Sequence, residues 1–226
     1  MFRMWRLRGH MPARRHSKRG SMTKKQLKKD PLNLIITGVG GQGNVMISLI
    51  IGNAFVRDGF CVTVGETYGA SQRGGPVMSH MRISKNTQYS PFIPEGCADI
   101  ILGMEPVETV RMLGKYGNSD VVTIVNPRPI YSVDVTAGHA QYPDLDKLIE
   151  TIKDLSSKTW LINATDEAQK MGSHMFANAI LIGALIGSGV LPLDRKSVEP
   201  VLLETFPKEI ETNLAAFDKG IKLVKS

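Results

Sequence analysis

The sequence predicts an α/β fold: a doubly wound, mostly parallel sheet with helices closing the chain. Three observations carry this. Short apolar runs alternate with helical stretches along most of the chain. The first apolar run, 34–37, is continuous rather than alternating, as suits a strand buried on both faces of a parallel sheet. It passes directly into Gly38-Val39-Gly40-Gly41-Gln42-Gly43 and then a helical run over 44–56. No internal repeat is visible.

Taken in order, residues 1–31 carry no recognisable element and end at Pro31. Asp58-Gly59 stops the first helix, and 60–64 is a second buried strand, completing a βαβ unit expected to be right-handed. A loop rich in small residues over 67–76 leads to a strand over 77–83. Residues 86–96 form a loop with two prolines, followed by a strand over 98–102. Glu105-Pro106 opens a helix through 113, with proline in the first turn and acids placed against the helix dipole. A strand over 120–125, an irregular stretch over 127–143, a helix over 144–154 and a strand over 159–162 follow. Helices are predicted over 166–171, 174–186, 194–203 and 208–224. The small-residue helix over 177–189 suits close packing on another helix, as a core contact in preference to a subunit interface.

The domain division is a basic leader over 1–31 and one domain over 32–226. The formal charge of +7 misleads, because residues 1–29 hold 11 Lys and Arg and no acid. The remainder holds 17 bases against 21 acids, so nucleic-acid binding is not expected. The leader is expected to be a disordered or non-native extension. A transit peptide, a tail that touches nucleic acid or an anionic membrane, or upstream sequence before a start at Met22 are the alternatives. No apolar run approaches the ~20 residues that span a bilayer, so no membrane role is expected. Cys61 and Cys97 have no CxxC spacing, which argues against iron–sulfur or structural zinc sites; buried free thiols in a reducing, cytoplasmic setting are expected.

Gly38, Gly40 and Gly43 satisfy G-x-G-x-x-G in a strand-to-helix context, which makes the fold Rossmann-like. Glu66 lies 23 residues after Gly43, where a dinucleotide enzyme holds its ribose hydroxyls. The same glycines equally serve a strand that turns into a closely packed helix. His80, His139 and His174 pair with no carboxylate in sequence, so hydride chemistry has no evident acid or base. No catalytic residue and no metal ligand is assigned. The loop Gln72-Arg73-Gly74-Gly75 presents an uncrowded guanidinium fork suited to a carboxylate or phosphate, on a ligand or a partner subunit. Pairing within the chain is the alternative.

These motifs have a family likeness. Gly38 to Gly43, then Glu66-Thr67-Tyr68-Gly69-Ala70-Ser71-Gln72-Arg73-Gly74-Gly75, then Val77-Met78-Ser79-His80-Met81-Arg82 resemble the gamma-type subunit of 2-oxoacid:ferredoxin oxidoreductases. The wording around Gln72 to Arg82 looks most like the small (beta) subunit of the indolepyruvate group. The likeness continues through 93–103, Glu105-Pro106 and 178–184, and covers roughly residues 33–203. Tyr68 departs from the histidine often found there in the indolepyruvate group, and the leader has no counterpart. The resemblance implies a non-cofactor subunit. Thiamine diphosphate, Mg and 4Fe-4S clusters belong to a large partner subunit. The assembly turns a 2-oxoacid and CoA into acyl-CoA, CO2 and reduced ferredoxin. Gly38, Gly40, Gly41, Gly43, Glu66, Tyr68, Gln72, Arg73, Gly74 and Gly75 become candidate CoA or partner contacts. A stand-alone NAD(P)- or flavin-binding reductase, and a non-catalytic nucleotide-binding scaffold, are the competing expectations.

Overall fold

The computed structural model describes residues 2–7, 26–68, 75–131 and 133–225. Its strands are β1 (Phe2–Leu7), β2 (Leu32–Val39), β3 (Cys61–Tyr68), β4 (Pro76–Ser84), β5 (Ile100–Gly103), β6 (Val122–Val125) and β7 (Lys158–Leu161). They form one sheet in the order β1-β3-β4-β2-β5-β6-β7. The run β2-β5-β6-β7 is parallel throughout. Strand β4 lies antiparallel to both β2 and β3, and β1 antiparallel to β3. The mostly parallel α/β sheet is therefore present, with an antiparallel wing. The strands of the βαβ unit are not neighbours, because β4 inserts between them.

The helices are α1 (Asn44–Arg57), α2 (Pro106–Tyr116), α3 (Val133–Thr136), α4 (Leu145–Asp154), α5 (Ala164–Lys170), α6 (Ala177–Gly187), α7 (Arg195–Thr205) and α8 (Ile210–Leu223). A 3-10 turn, His174–Phe176, precedes α6, so the single helix expected from 174 is two elements. Short α3 falls within the stretch expected to be irregular.

Helices cover both faces because side chains alternate along the buried strands. Leu34, Ile36, Leu102 and Ile124 share one core with α1 and α5 to α8. Ile35, Ile101 and Val125 share the other with Leu113 and Tyr116 of α2 and Ile152 of α4. All eight residues of β2 are buried, as its unbroken apolar run predicts. In the first core α6 and α8 touch backbone to backbone. A Cβ on Gly183 would stand 2.0 Å from the Phe217 carbonyl oxygen, and one on Gly220 2.0 Å from that of Ile180. The small-residue helix is thus a core contact.

Two expectations are corrected. Residues 2–7 form an edge strand, paired from Phe2 opposite Thr67 to Leu7 opposite Val62. Backbone pairing along β3 needs no amphipathic period, which is why the sequence did not signal it; residues 8–25 lie outside those described. The thiols are free but not buried: Cys97 is exposed and Cys61 half-buried. Each sits at a strand margin, Cys61 opening β3 and Cys97 in the loop before β5. No helix among the described residues is long and apolar enough to cross a membrane.

Candidate functional site at the carboxyl edge

The chain reverses its direction of sheet growth between β2 and β5. After β2 it builds β3 and β4 on one side; β5, β6 and β7 follow on the other. In open α/β sheets the crevice outside the strand ends at this point is the usual ligand site. Here that edge gathers the glycine turn after β2, Tyr68 ending β3, Gly75 before β4, Met104 and Glu105 after β5, and Asn126 after β6. Val39 of β2 lies opposite Pro76, and Tyr68 of β3 opposite Val77, so the base of the 69–75 loop abuts the glycine turn.

The Gly40 amide donates to the Gly75 carbonyl at 2.8 Å, tying loop to turn. Gly41 and Gly43 have φ of 103° and 90°, a left-handed backbone that side-chain-bearing residues avoid. Gly38 lies within β2 and is buried. Glu66 is buried as well, and the Ser48 hydroxyl on α1 donates to its Oε1 at 3.5 Å. Its carboxyl is enclosed beneath α1 rather than offered at the strand tip. Gln72, Arg73 and Gly74 lie outside the described residues, as does the Tyr68 side chain.

Apart from Glu105, already read as a helix start, the polar residues at this edge carried no sequence signal of their role. Gln42, inside the glycine motif, accepts from the Val39 amide through Oε1 at 2.7 Å and donates to the Met104 carbonyl through Nε2 at 2.9 Å. Asn44 donates to the carbonyls of Ile36 and Val77, both at 3.4 Å, joining α1 to β2 and β4. Asn126 donates to Thr165 Oγ1 at 2.9 Å and to the Met104 carbonyl at 3.4 Å. Glu105 caps α2, accepting from the Glu108 amide at 2.9 Å. The Tyr142 hydroxyl donates to the other Glu105 oxygen, across 37 residues of sequence. Burial, then the adjoining Glu105 carboxyl, drive the Tyr142 phenol far above its usual range. Burial also raises Glu108, with Arg111 opposing it.

His80 has a structural place. Its Nδ1 accepts from the Ile93 amide at 3.4 Å, and its ring packs edge-on against Phe92 and Tyr116 at 5.5 and 5.2 Å. Burial, helped by the Lys115 charge, lowers its pKa to about 4. Two residues on, Arg82 donates to Asn33 Oδ1 and to the carbonyls of Ser90 and Phe92, and stacks over Tyr89. The Ser79-to-Arg82 wording therefore fastens the 86–96 loop to β4. His139 and His174 are exposed. Among the described residues, no group of three or more His, Cys, Asp or Glu is placed to hold a metal ion.

Residues 33–223 match the family model described as pyruvate ferredoxin/flavodoxin oxidoreductase. The chain is 38% identical to the indolepyruvate oxidoreductase subunit IorB of Archaeoglobus fulgidus, over 84% of this chain and 93% of that one. It is 37% identical to the same subunit of Thermococcus kodakarensis, over 85% and 96%. Identity falls to 25% against the common gamma subunit of the Thermococcus litoralis pyruvate/ketoisovalerate oxidoreductases, over 81% and 94%. Among solved structures, the fold matches the gamma subunit of a keto/oxoacid ferredoxin oxidoreductase from Geobacter sulfurreducens. The TM-score is 0.62 at 21% identity, covering 86% of this chain and 98% of that one. It also matches 2-oxoglutarate:ferredoxin oxidoreductase from Magnetococcus marinus, solved with 2-oxoglutarate, coenzyme A and succinyl-CoA bound. There the TM-score is 0.68 at 21% identity, over 88% of this chain but 32% of that one.

Proposed function

The chain belongs to the pyruvate ferredoxin/flavodoxin oxidoreductase family, and on that premise we propose that it is the small, non-cofactor subunit of an indolepyruvate-type 2-oxoacid:ferredoxin oxidoreductase. The assembly oxidatively decarboxylates a 2-oxoacid: the bond to the carboxylate breaks, CO2 leaves, and the acyl carbon forms a thioester with CoA. The electron pair released passes to ferredoxin. A large partner subunit supplies thiamine diphosphate, Mg and 4Fe-4S clusters. This chain adds the wall of the substrate or CoA entrance. The proposed compartment is the cytoplasm, in keeping with two free cysteines.

One observation carries the reading. Identity of 37–38% extends over 93–96% of two indolepyruvate subunits, against 25% for a pyruvate/ketoisovalerate gamma subunit. None of these relatives supports a stand-alone nicotinamide or flavin reductase, or a nucleotide-binding scaffold. Within the chain, the Gln72-Arg73-Gly74-Gly75 loop is the proposed contact. Its ends, Tyr68 and Gly75, are held at the carboxyl edge. A guanidinium there suits a phosphate or carboxylate.

Affinity capture of the full chain under native conditions, read by mass spectrometry, tests this. A large thiamine- and iron–sulfur-containing subunit is expected to co-purify. The isolated chain reducing a 2-oxoacid with NADH, without such a partner, would overturn the reading.

A further inference from the structure

The two sides of the sheet end differently. On one side β7 is four residues long and opens on the exposed Lys158. Shortness and an edge lysine both keep a free strand edge from pairing with another chain. On the other wing β3 has neither. It runs eight residues, Cys61–Tyr68, with no lysine and no proline. Val62, Thr63 and Val64 favour extended backbone. Its register on β4 is unbroken from Cys61 opposite Ser84 to Tyr68 opposite Val77, so no bulge bends it away. Its one charge, Glu66, is buried under α1. Left open, this edge would offer a row of unpaired amides and carbonyls.

Strand β1 covers that row, and chain connection does not dictate its place. Leu7, Val62, Ile83 and Leu32 stand in one row across the sheet. Three strand spacings, about 14 Å, therefore separate Leu7 from Leu32. The 24 residues between them can reach about 80 Å. We propose that residues 2–7 are a guard strand, which occupies the β3 edge and denies it to a second copy of this chain. The guard holds Arg3 and Arg6 and no acid, so the outermost strand becomes a cationic one that disfavours its like. A second copy is the excluded partner because β3 is complementary to itself. A two-fold antiparallel pairing can set Val64 opposite Gly65 and Thr63 opposite Glu66, so the two carboxylates do not face each other. With β7 protected at the far side, such pairing closes at two copies. This edge concerns the chain alone, and the proposal stands or falls separately from the subunit role.

The test uses the full chain carrying Met4→Pro and Trp5→Pro. Successive residues of a strand turn to opposite sides, so one of the two prolines removes a donor to β3. In dilute solution the amides of 62–67 that face β1 should exchange at least about tenfold faster, with Ile180 and Phe217 in the α6–α8 core unchanged. In sedimentation, the variant's mass relative to wild type should rise with concentration by about twofold and stop there. A synthetic peptide of residues 1–8, at about 1 mM to match a tethered strand, restores the wild-type mass and slow exchange. The same peptide bearing both prolines does not. Should the double-proline chain fail to fold, Arg3→Val with Arg6→Val serves: β1 stays paired but loses its charges, and the same doubling is expected through β1. Unchanged exchange over 62–67 in the double-proline chain would overturn the proposal. So would a mass that stays at that of wild type, growth past a doubling, or equal rescue by the proline-bearing peptide.

Discussion

The glycine turn at 38–43 and the α6–α8 contact both depend on glycine for close approach, but they admit different things. At α6–α8 the groups that meet are backbone: Gly183 faces the Phe217 carbonyl and Gly220 the Ile180 carbonyl. Neither helix can yield without moving its whole length. At the turn the groups are side-chain ends, Gln42 Oε1 against Gly38 and Asn178 Nδ2 against Gly43. A side-chain end can swing away, so the turn is the more forgiving of the two. A glycine pattern in sequence thus announces close approach without saying whether a ligand, a side chain or a helix does the approaching.

Gly183→Ala tests the rigid half. Alanine returns at most about 1 kcal/mol of helix propensity, and forcing two helices apart costs about 1–3 kcal/mol or more, so net destabilisation near the top of that range is expected. Denaturant unfolding measures it, and a neutral result would show that α6 and α8 slide freely. Acid separates both contacts from the loop held by His80. The ring is neutral when folded, with a pKa of about 4 against 6.5. The unfolded chain takes up that proton first as pH falls, so stability drops through the window from 6.5 to 4. The size is about 3 kcal/mol, from about 1.36 kcal/mol per pH decade. Unfolding curves at several pH values should show the slope in wild type and in the glycine variants, and lose it in a folded His80→Phe chain. Gly43→Ala probes the forgiving half: the left-handed backbone alone sets a cost of about 1–2 kcal/mol, below that of Gly183→Ala. A cost exceeding that of Gly183→Ala would invert the comparison. Smallest of all, Tyr142→Phe removes the donor to buried Glu105 and should cost about 1 kcal/mol, read as a small shift in the unfolding midpoint.

Much of this fold was legible because its signals are local. Asp58 and Gly59 end α1 as predicted, with Gly59 at φ 88°. Glu105 and Pro106 start α2, Asp144 caps α4 and Asp194 caps α7, each through an amide a few residues away. What the sequence does not encode locally is which strands are neighbours. Nothing in 76–84 says that β4 lies between β2 and β3, and nothing in 2–7 names β3 as its partner. The site follows the same division. The glycine turn was found, but its filling by Gln42, the enclosure of Glu66 under α1 and the reach of Tyr142 to Glu105 join residues through tertiary packing. The stretch from Val77 to Arg82 is legible as family wording, whereas its physical work, fastening the 86–96 loop, lies in contacts of His80 and Arg82 that only the fold creates.

Reconstitution is the measurement closest to the central claim that this chain borrows its reactive centre. The full chain alone should give no ferredoxin reduction with indolepyruvate and CoA. Adding a large thiamine- and iron–sulfur-containing subunit should give CoA-dependent reduction, and Arg73→Ala should weaken it by about 10- to 100-fold while the isolated variant melts as wild type does. Turnover of a 2-oxoacid by the isolated chain, or a complex equally active with and without it, would contradict the account.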